Sequence, residues 1–276
     1  MKRVLVTGAK GQLGSELIAY LRNFWDVVGA DRAEMDLADE ASIRAFLEQT
    51  KPDAIIHAGA YTAVDRAEDE RDLCLKVNSE SVKVLADHCQ KEGIILIFIS
   101  SDYVFDGEKE GLYLETDATN PKSVYGLSKV LGENYIKERL DRYFIVRISW
   151  VFGNGHNFVN TMLKFGAAGK PLKIVADQVG SPTYAADLVP VLCQMLESDK
   201  YGTYHVTNDG FCSWYEFAAK IFEAAGLEAD ISPVAASEYP TKASRPQNSR
   251  LSKSKLLAAG FGTLPTWEDA LGRFLR

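Results

Sequence analysis

Val4-Leu5-Val6-Thr7-Gly8-Ala9-Lys10-Gly11-Gln12-Leu13-Gly14 is the stretch that decides the fold. Val4 to Val6 form a short apolar run of the kind expected for a buried strand. Leu13, Leu17, Ile18 and Leu21 then recur on one face of a helix. Between them, Gly8, Gly11 and Gly14 allow a tight turn and let a phosphate approach the helix N-terminus. There, free N–H groups and the helix dipole favour an anion. Glycine is also common turn punctuation, so the strand before the loop and the helix after it give the spacing its weight. The stretch predicts a dinucleotide site.

Strand and helix patterns alternate beyond it. Trp25 to Ala30, Asp53 to Ala58, Ile94 to Ile99 and Phe144 to Ser149 read as strands. Ala41 to Gln49, Ala67 to Lys91 and Gly126 to Arg139 read as helices. This rhythm predicts an α/β fold, a Rossmann-like doubly wound parallel sheet with helices on both faces. After Trp150 the rhythm loosens, with Gly and Asn crowded at 153–157 and Pro171, Pro182, Pro240 and Pro246 following. Residues 1–150, with about 181–210, are therefore expected to form the dinucleotide-binding domain. A strand and helix over 181–196 return to it. Residues 151–180 and 211–276 form a smaller C-terminal substrate-binding lobe.

Composition sets limits. The 276 residues are 46% hydrophobic and 25% charged, as in an ordinary globular chain. A net charge of −7 argues against a nucleic-acid partner, which calls for a basic face. No apolar stretch approaches the roughly 20 residues needed to cross a bilayer, and no signal peptide is read at the start. Cys74, Cys89, Cys193 and Cys212 are scattered, and the four histidines show no ligand spacing. The expectation is a cytoplasmic protein with free thiols and no metal site.

The chemistry is concentrated at Tyr125-Gly126-Leu127-Ser128-Lys129. Residues four apart share a helix face, so a phenol and an ammonium can enter one pocket. A nearby cation favours phenolate, so Lys129 is expected to lower the tyrosine pKa and make a better proton donor. Ser101 follows the Ile94–Ile99 strand, where a parallel sheet meets its ligand, and its hydroxyl can hold a carbonyl oxygen. A Tyr and Lys pair alone is as readily a solvated helix face. The glycine loop and Ser101 in the same chain turn the reading toward nicotinamide-dependent carbonyl chemistry. For the cofactor, Asp31 lies about 20 positions past the loop, where an acid holds ribose hydroxyls and favours NADH. Arg32 beside it can pair with a 2′-phosphate.

These features resemble the extended short-chain dehydrogenase/reductases and, within them, the dTDP-4-dehydrorhamnose reductase family. The narrower likeness rests on six phrases spread over essentially the whole chain. They are Ala60-Tyr61-Thr62-Ala63-Val64-Asp65, Ser101-Asp102-Tyr103-Val104-Phe105-Asp106-Gly107, Trp150-Val151-Phe152-Gly153, Asn157-Phe158-Val159, Asp177-Gln178-Val179-Gly180-Ser181-Pro182-Thr183 and Arg245-Pro246. The family usually carries His, Thr and Lys where Tyr61, Ser101 and Arg66 stand. Serine keeps the hydroxyl that threonine would supply.

The resemblance implies reduction of a C4 keto group on a dTDP-linked sugar by NADPH, with NADH also accepted. It makes Tyr125 the general acid, Lys129 the holder of the nicotinamide ribose and Ser101 the group that orients the carbonyl. Cofactor contacts are implied for Gly8, Gly11, Gln12, Leu13 and Gly14, and for Asp31, Arg32, Asp36 and Leu37. Ala58, Ala60, Tyr61, Thr62, Tyr125 and Lys129 complete that set. Substrate contacts are implied for Ser101, Asp102, Val104, Tyr125, Trp150, Asn157 and Arg245. Lys242, Arg245 and Arg250 offer a local positive cluster for a diphosphate that the acidic chain would otherwise repel. Related dehydratases carry a Thr-Asp-Glu run for the extra acid and base of elimination. Ser101-Asp102-Tyr103 lacks the glutamate, so dehydration is not expected. An epimerase, a reductase of another nucleotide-linked 4-keto sugar and a non-catalytic NADP-binding subunit remain as alternatives, and a homodimer is compatible with all of them.

Overall fold

In a computed structural model describing residues 2–276, the central sheet has six strands, all parallel. They are β1 (Arg3–Thr7), β2 (Asp26–Ala30), β3 (Ala54–His57), β4 (Ile95–Ser101), β5 (Tyr143–Ile148) and β10 (Gly202–His205), in the spatial order β10-β5-β4-β3-β1-β2. The chain runs from β1 outward to β2, then crosses back to β3 on the other side of β1. That reversal opens a crevice at the C-terminal ends of β1 and β3, where open α/β sheets bind ligands.

Each face of the sheet has its own core, because a sheet buried on both sides needs apolar residues pointing both ways. On one face Val4, Val6, Ile56, Ile97 and Val146 pack against α1 (Gln12–Leu21) and α8 (Ala185–Leu196). On the other, Leu5, Ile55, Leu96, Phe98 and Ile145 pack against α2 (Glu40–Thr50), α5 (Ser81–Glu92) and α6 (Val124–Arg139). A third core holds the smaller lobe, built from α7 (Phe158–Ala167), α9 (Trp214–Ala225) and α11 (Trp267–Phe274). Two-stranded pairings trim the lobe: β6 (Val151–Phe152) with β9 (Thr183–Tyr184), β7 (Leu172–Val175) with β12 (Ile231–Val234), and β8 (Val179–Gly180) with β11 (Cys212–Ser213). Leu256 of α10 (Ser254–Ala258), Phe261 and Leu264, which the sequence reading gives to the lobe, pack on the first core instead. No helix among the described residues is long and apolar enough to cross a membrane.

Two sequence expectations change. The strand expected near Ser181 is only two residues long and pairs outside the main sheet. The sixth main-sheet strand is Gly-Thr-Tyr-His at 202–205, too short and too polar to stand out as an apolar run. The helix expected from Ala67 to Lys91 is broken into α3 (Val64–Ala67), α4 (Arg71–Leu75), a π-helical turn (Lys76–Glu80) and α5. That turn seats Asn78, fully buried, where its side chain accepts from Tyr61 N at 2.7 Å and donates to Tyr61 O at 3.0 Å. Such bulges often mark functional positions. Here the bulge fixes the segment leaving β3.

Helix α6 is held to the sheet by a buried ion pair. Arg147 of β5 grips Glu133 through Nε at 2.8 Å and Nη2 at 2.6 Å, with both side chains 1% exposed. Ser100 Oγ and Lys137 Nζ donate to the same carboxylate. Burial opposes its ionisation, but the Arg147 hydrogen bond and charge outweigh that and hold Glu133 below the usual glutamate range. A depressed carboxyl contributes stability above its unfolded pKa and loses it as pH falls toward the folded value. Glu133→Gln leaves Arg147 buried without a counter-charge, so urea unfolding at neutral pH should show a loss of about 3–5 kcal/mol. A loss below about 1 kcal/mol, the range of surface pairs, contradicts this account of the helix anchor.

Candidate active site

A cavity of about 830 Å³ lies along the C-terminal ends of β1, β3 and β4. Its floor is the glycine loop. Gly8 has φ +65°, and a Cβ there would sit 2.7 Å from Gly59 Cα. A Cβ on Gly14 would lie 2.0 Å from Gly8 O, so only glycine lets α1 start so close to β1. Helix α1 begins after Gly11 with no side-chain cap, leaving its first N–H groups for an anion. At the end of β1, Thr7 Oγ1 meets His57 Nδ1 at 2.7 Å and accepts from Gly59 N at 2.9 Å, tying β1 to the end of β3 and the segment after it.

Every expected cofactor residue lines this cavity: Gly8, Gly11, Gln12, Leu13, Gly14, Asp31, Arg32, Asp36, Leu37, Ala58, Ala60, Tyr61, Thr62, Tyr125 and Lys129. Asp31 Oδ2 accepts from Lys10 N at 2.6 Å, so the acid at the end of β2 also braces the glycine loop. Arg32 is 82% exposed, with only a loose 3.5 Å pairing to Asp36.

Tyr125 and Lys129 enter from the first turns of α6. Ser123 caps that helix by accepting from Gly126 N at 3.1 Å. A Cβ on Gly126 would fall 2.2 Å from Tyr103 O, so this glycine lets the helix press against the turn after β4. Ser101, expected just past its strand, is the last residue of β4 and faces the same cavity. Lys129 is 3% exposed and donates through Nζ to Ile99 O at 3.1 Å. Its Nζ lies 5.0 Å from the Phe98 ring centroid and 5.9 Å from that of Tyr125. Burial pushes the Lys129 ammonium down to about 8.

The expected depression of Tyr125 by Lys129 is not what this geometry gives. Burial pushes the phenol up, and the Asp102 carboxylate pushes in the same direction, while the Ser101 hydroxyl acts against both. Lys129 is turned toward the Ile99 carbonyl and does not offset the desolvation. The consequence is a phenol that keeps its proton near neutral pH, the form a proton donor needs.

Of the expected substrate residues, Ser101, Asp102, Tyr125, Trp150 and Arg245 line the cavity, whereas Val104 and Asn157 do not. Val104 is fully buried among Phe105, Tyr113, Val130 and Leu251, because the short turn over Asp102–Val104 points it into that cluster. Asn157 is the N-cap of α7: its Oδ1 accepts from Asn160 N at 3.0 Å and its Nδ2 donates to Gly153 O at 2.6 Å. That side chain caps its own helix and loop, and its Nδ2 also reaches Gln12 Oε1 of the cavity floor at 3.2 Å without lining the cavity itself. Trp150 has φ +48°, a strained left-handed backbone for a bulky residue, of the kind that clusters at functional sites. Its indole stacks on Trp214, with ring centroids 3.6 Å apart and planes at 13°. Gly180 packs beneath it, where a Cβ would come within 2.7 Å of the ring.

Two of the three expected positive charges meet a carboxylate, and the third meets a neutral amide. Lys242 pairs with Asp69, Arg245 Nη2 donates to Asp65 Oδ2 at 2.7 Å, and Arg250 Nε donates to Asn248 Oδ1 at 2.8 Å. Only Arg245 of the three reaches the cavity. Arg66 and Tyr103, which the sequence reading names without giving either a contact, also line it, as does Trp214, which that reading does not single out. For Trp214 the one visible signal is the Ser213…Glu216 capping box, which sets the residue in the first turn of α9.

A glycine loop at a sheet switch point, with Ser, Tyr and Lys converging on the same cavity, defines a short-chain dehydrogenase/reductase of the extended type. The family model described as the RmlD substrate binding domain matches residues 1–276. A dTDP-4-dehydrorhamnose reductase of Aggregatibacter actinomycetemcomitans is 39% identical, over 98% of this chain and 97% of its own. The spore coat polysaccharide biosynthesis protein SpsK of Bacillus subtilis (strain 168) is 40% identical over 100% of this chain and 98% of its own. The crystal structure of a dTDP-4-dehydrorhamnose reductase from Bacillus anthracis in complex with NADP superposes with a TM-score of 0.96 at 41% identity, covering 99% of both chains. The chain belongs to the RmlD family, that of the dTDP-4-dehydrorhamnose reductases.

Proposed function

We propose that this chain reduces the C4 keto group of dTDP-4-dehydro-L-rhamnose to give dTDP-L-rhamnose, using NADPH and also accepting NADH. The observation that carries the reading is the convergence of Ser101, Tyr125 and Lys129 on the cavity floored by the glycine loop. The cradle suits a dinucleotide: the close approach at Gly14 excludes any side chain, and the uncapped start of α1 offers N–H groups to a pyrophosphate. When bound, the coenzyme supplies hydride. Tyr125, kept protonated by its burial, gives its proton to the keto oxygen. Ser101 holds that oxygen in place, and Lys129 binds the ribose from the base of the pocket. Trp150, supported by Trp214, packs against the sugar, and Arg245 turns its planar donor fork from Asp65 to the diphosphate. The reading puts the enzyme in the cytoplasm.

Two outcomes are expected. Tyr125→Phe removes the phenolic proton only, so coenzyme affinity should hold while kcat falls about 10²- to 10⁴-fold, the usual contribution of a general acid. A near-normal kcat in that variant would rule Tyr125 out as the acid. For the coenzyme, Asp31 favours NADH and Arg32 favours a 2′-phosphate. The kcat/KM values for NADPH and NADH should therefore lie within about tenfold, or roughly 1.4 kcal/mol. A preference beyond about a hundredfold in either direction contradicts the balance of those two charges.

A further inference from the structure

Asp102, which lines the cavity among the expected substrate residues, is a buried acid that the reduction, as described, uses in neither its proton nor its hydride step. It is 3% exposed and begins the short turn that follows β4. Each of its oxygens takes one serine hydroxyl. Ser101 Oγ donates to Oδ1 at 2.8 Å, and Ser249 Oγ, from the C-terminal segment, donates to Oδ2 at 2.5 Å. Ser249 is itself anchored, its N–H donating to Val179 O at 2.7 Å.

Proton bookkeeping makes this arrangement consequential. A serine hydroxyl has one proton and two lone pairs. While Ser101 gives that proton to Asp102, it has only lone pairs left for any other partner. A keto oxygen has only lone pairs as well, so the two cannot hydrogen-bond. Ser101 can hold the substrate only after its proton has turned away from Asp102. A neutral carboxylic acid makes that turn favourable, because it becomes the donor and Ser101 becomes the acceptor.

We propose that Asp102 is a positioning residue that sets the direction of the Ser101 hydroxyl: protonated, it donates to Ser101 and aims that hydroxyl at the keto oxygen; ionised, it captures the hydroxyl and withdraws it. This rests on the keto-reductase reading above. Burial supports it by pushing the Asp102 carboxyl up to about 6, against the hydrogen bonds from Ser249 and Ser101 that favour the charged form. The titratable and charged groups around it are Tyr125 from α6, Tyr103 from its own turn, and Arg245 of the C-terminal segment with Asp65 of α3 beyond. Lys129, the nearest cation on α6 to the reacting centre, is committed to the Ile99 carbonyl. A ligand bearing a diphosphate adds negative charge and excludes water, and both favour the neutral acid further. Asp102 transfers no proton in the reaction. The keto oxygen gains its proton from Tyr125, the carbon gains hydride from the coenzyme, and Asp102 ends as it began.

The test has two readings on the full chain. In the first, without ligand, an infrared difference titration of wild type against Asp102→Asn should show a protonated-carboxyl band that disappears near pH 6 and is absent from the variant. In the second, kcat/KM for dTDP-4-dehydro-L-rhamnose with NADPH, which reports the free enzyme, should fall above that pH by about tenfold per unit in wild type. Asp102→Asn, whose amide is a permanent donor to Ser101, should start roughly three- to tenfold lower and stay flat. Asp102→Ala keeps the Ser101 hydroxyl but removes the group that aims it, so it should be flat and lower by up to about 10²-fold, the figure for losing a donor outright. A wild-type pH limb that persists in Asp102→Asn overturns the inference while leaving the substrate reading intact, and so does the absence of the band from wild type. The infrared titration appearing without any turnover of this sugar supports the proton on Asp102 and overturns the proposed substrate instead.

Discussion

The buried Glu133–Arg147 pair and the bare Gly126 backbone act on the same helix, one at its middle and one at its first turn. Arg147 of β5 and Ser100 of β4 hold the middle of α6 to the sheet through Glu133, and Lys137 of the same helix completes that carboxylate's partners. At the other end the missing Gly126 side chain lets the first turn rest on Tyr103 O. Between them, Ser128 accepts from Asn78 at 3.0 Å, and Asn78 in turn holds the backbone of Tyr61. Tyr125 and Lys129 project from the segment these contacts clamp. Catalytic geometry tolerates little displacement, so the chemistry of the cavity depends on an ion pair that touches no ligand.

Electrostatics in the cavity are local. The chain is acidic overall, yet its ligands in this reading are anions. Positive potential comes from the open start of α1, from Lys129 at the base and from Arg245 at the rim. Arg245 is half-buried, and Asp65 compensates its guanidinium through the 2.7 Å hydrogen bond from Nη2. Burial then shapes each reacting group differently. It keeps the proton on Tyr125, loosens the one on Lys129 and leaves Asp102 within reach of neutral pH.

Much of this was legible in the sequence, for identifiable reasons. The glycine loop and the first five strands are strong signals because a doubly covered parallel sheet demands continuous apolar runs and a phosphate cradle demands glycine. The Tyr125–Lys129 spacing is legible because helical periodicity fixes which side chains share a face. What stayed hidden depends on tertiary context. Strand β10 is short and polar, and only its neighbour β5 makes it a strand. Asn157 looks like a ligand group, but an Asn before a helix is also a cap, and packing decides which. Val104 sits two residues from Asp102 and faces the opposite way because the turn is helical. Trp214 lies 64 positions from Trp150 in sequence, and no local pattern announces that the two rings stack. Burial energies are equally invisible, so spacing alone points the Tyr125 shift the wrong way.

The most direct measurement is the fate of the transferred hydrogen. The wild-type chain is incubated with dTDP-4-dehydro-L-rhamnose and NADPH deuterated at the transferable C4 position of the nicotinamide, and the sugar product is examined by NMR. The account predicts dTDP-L-rhamnose carrying deuterium at sugar C4, formed in step with coenzyme oxidation. Deuterium at another carbon, or coenzyme left unoxidised in the presence of this sugar, would contradict it.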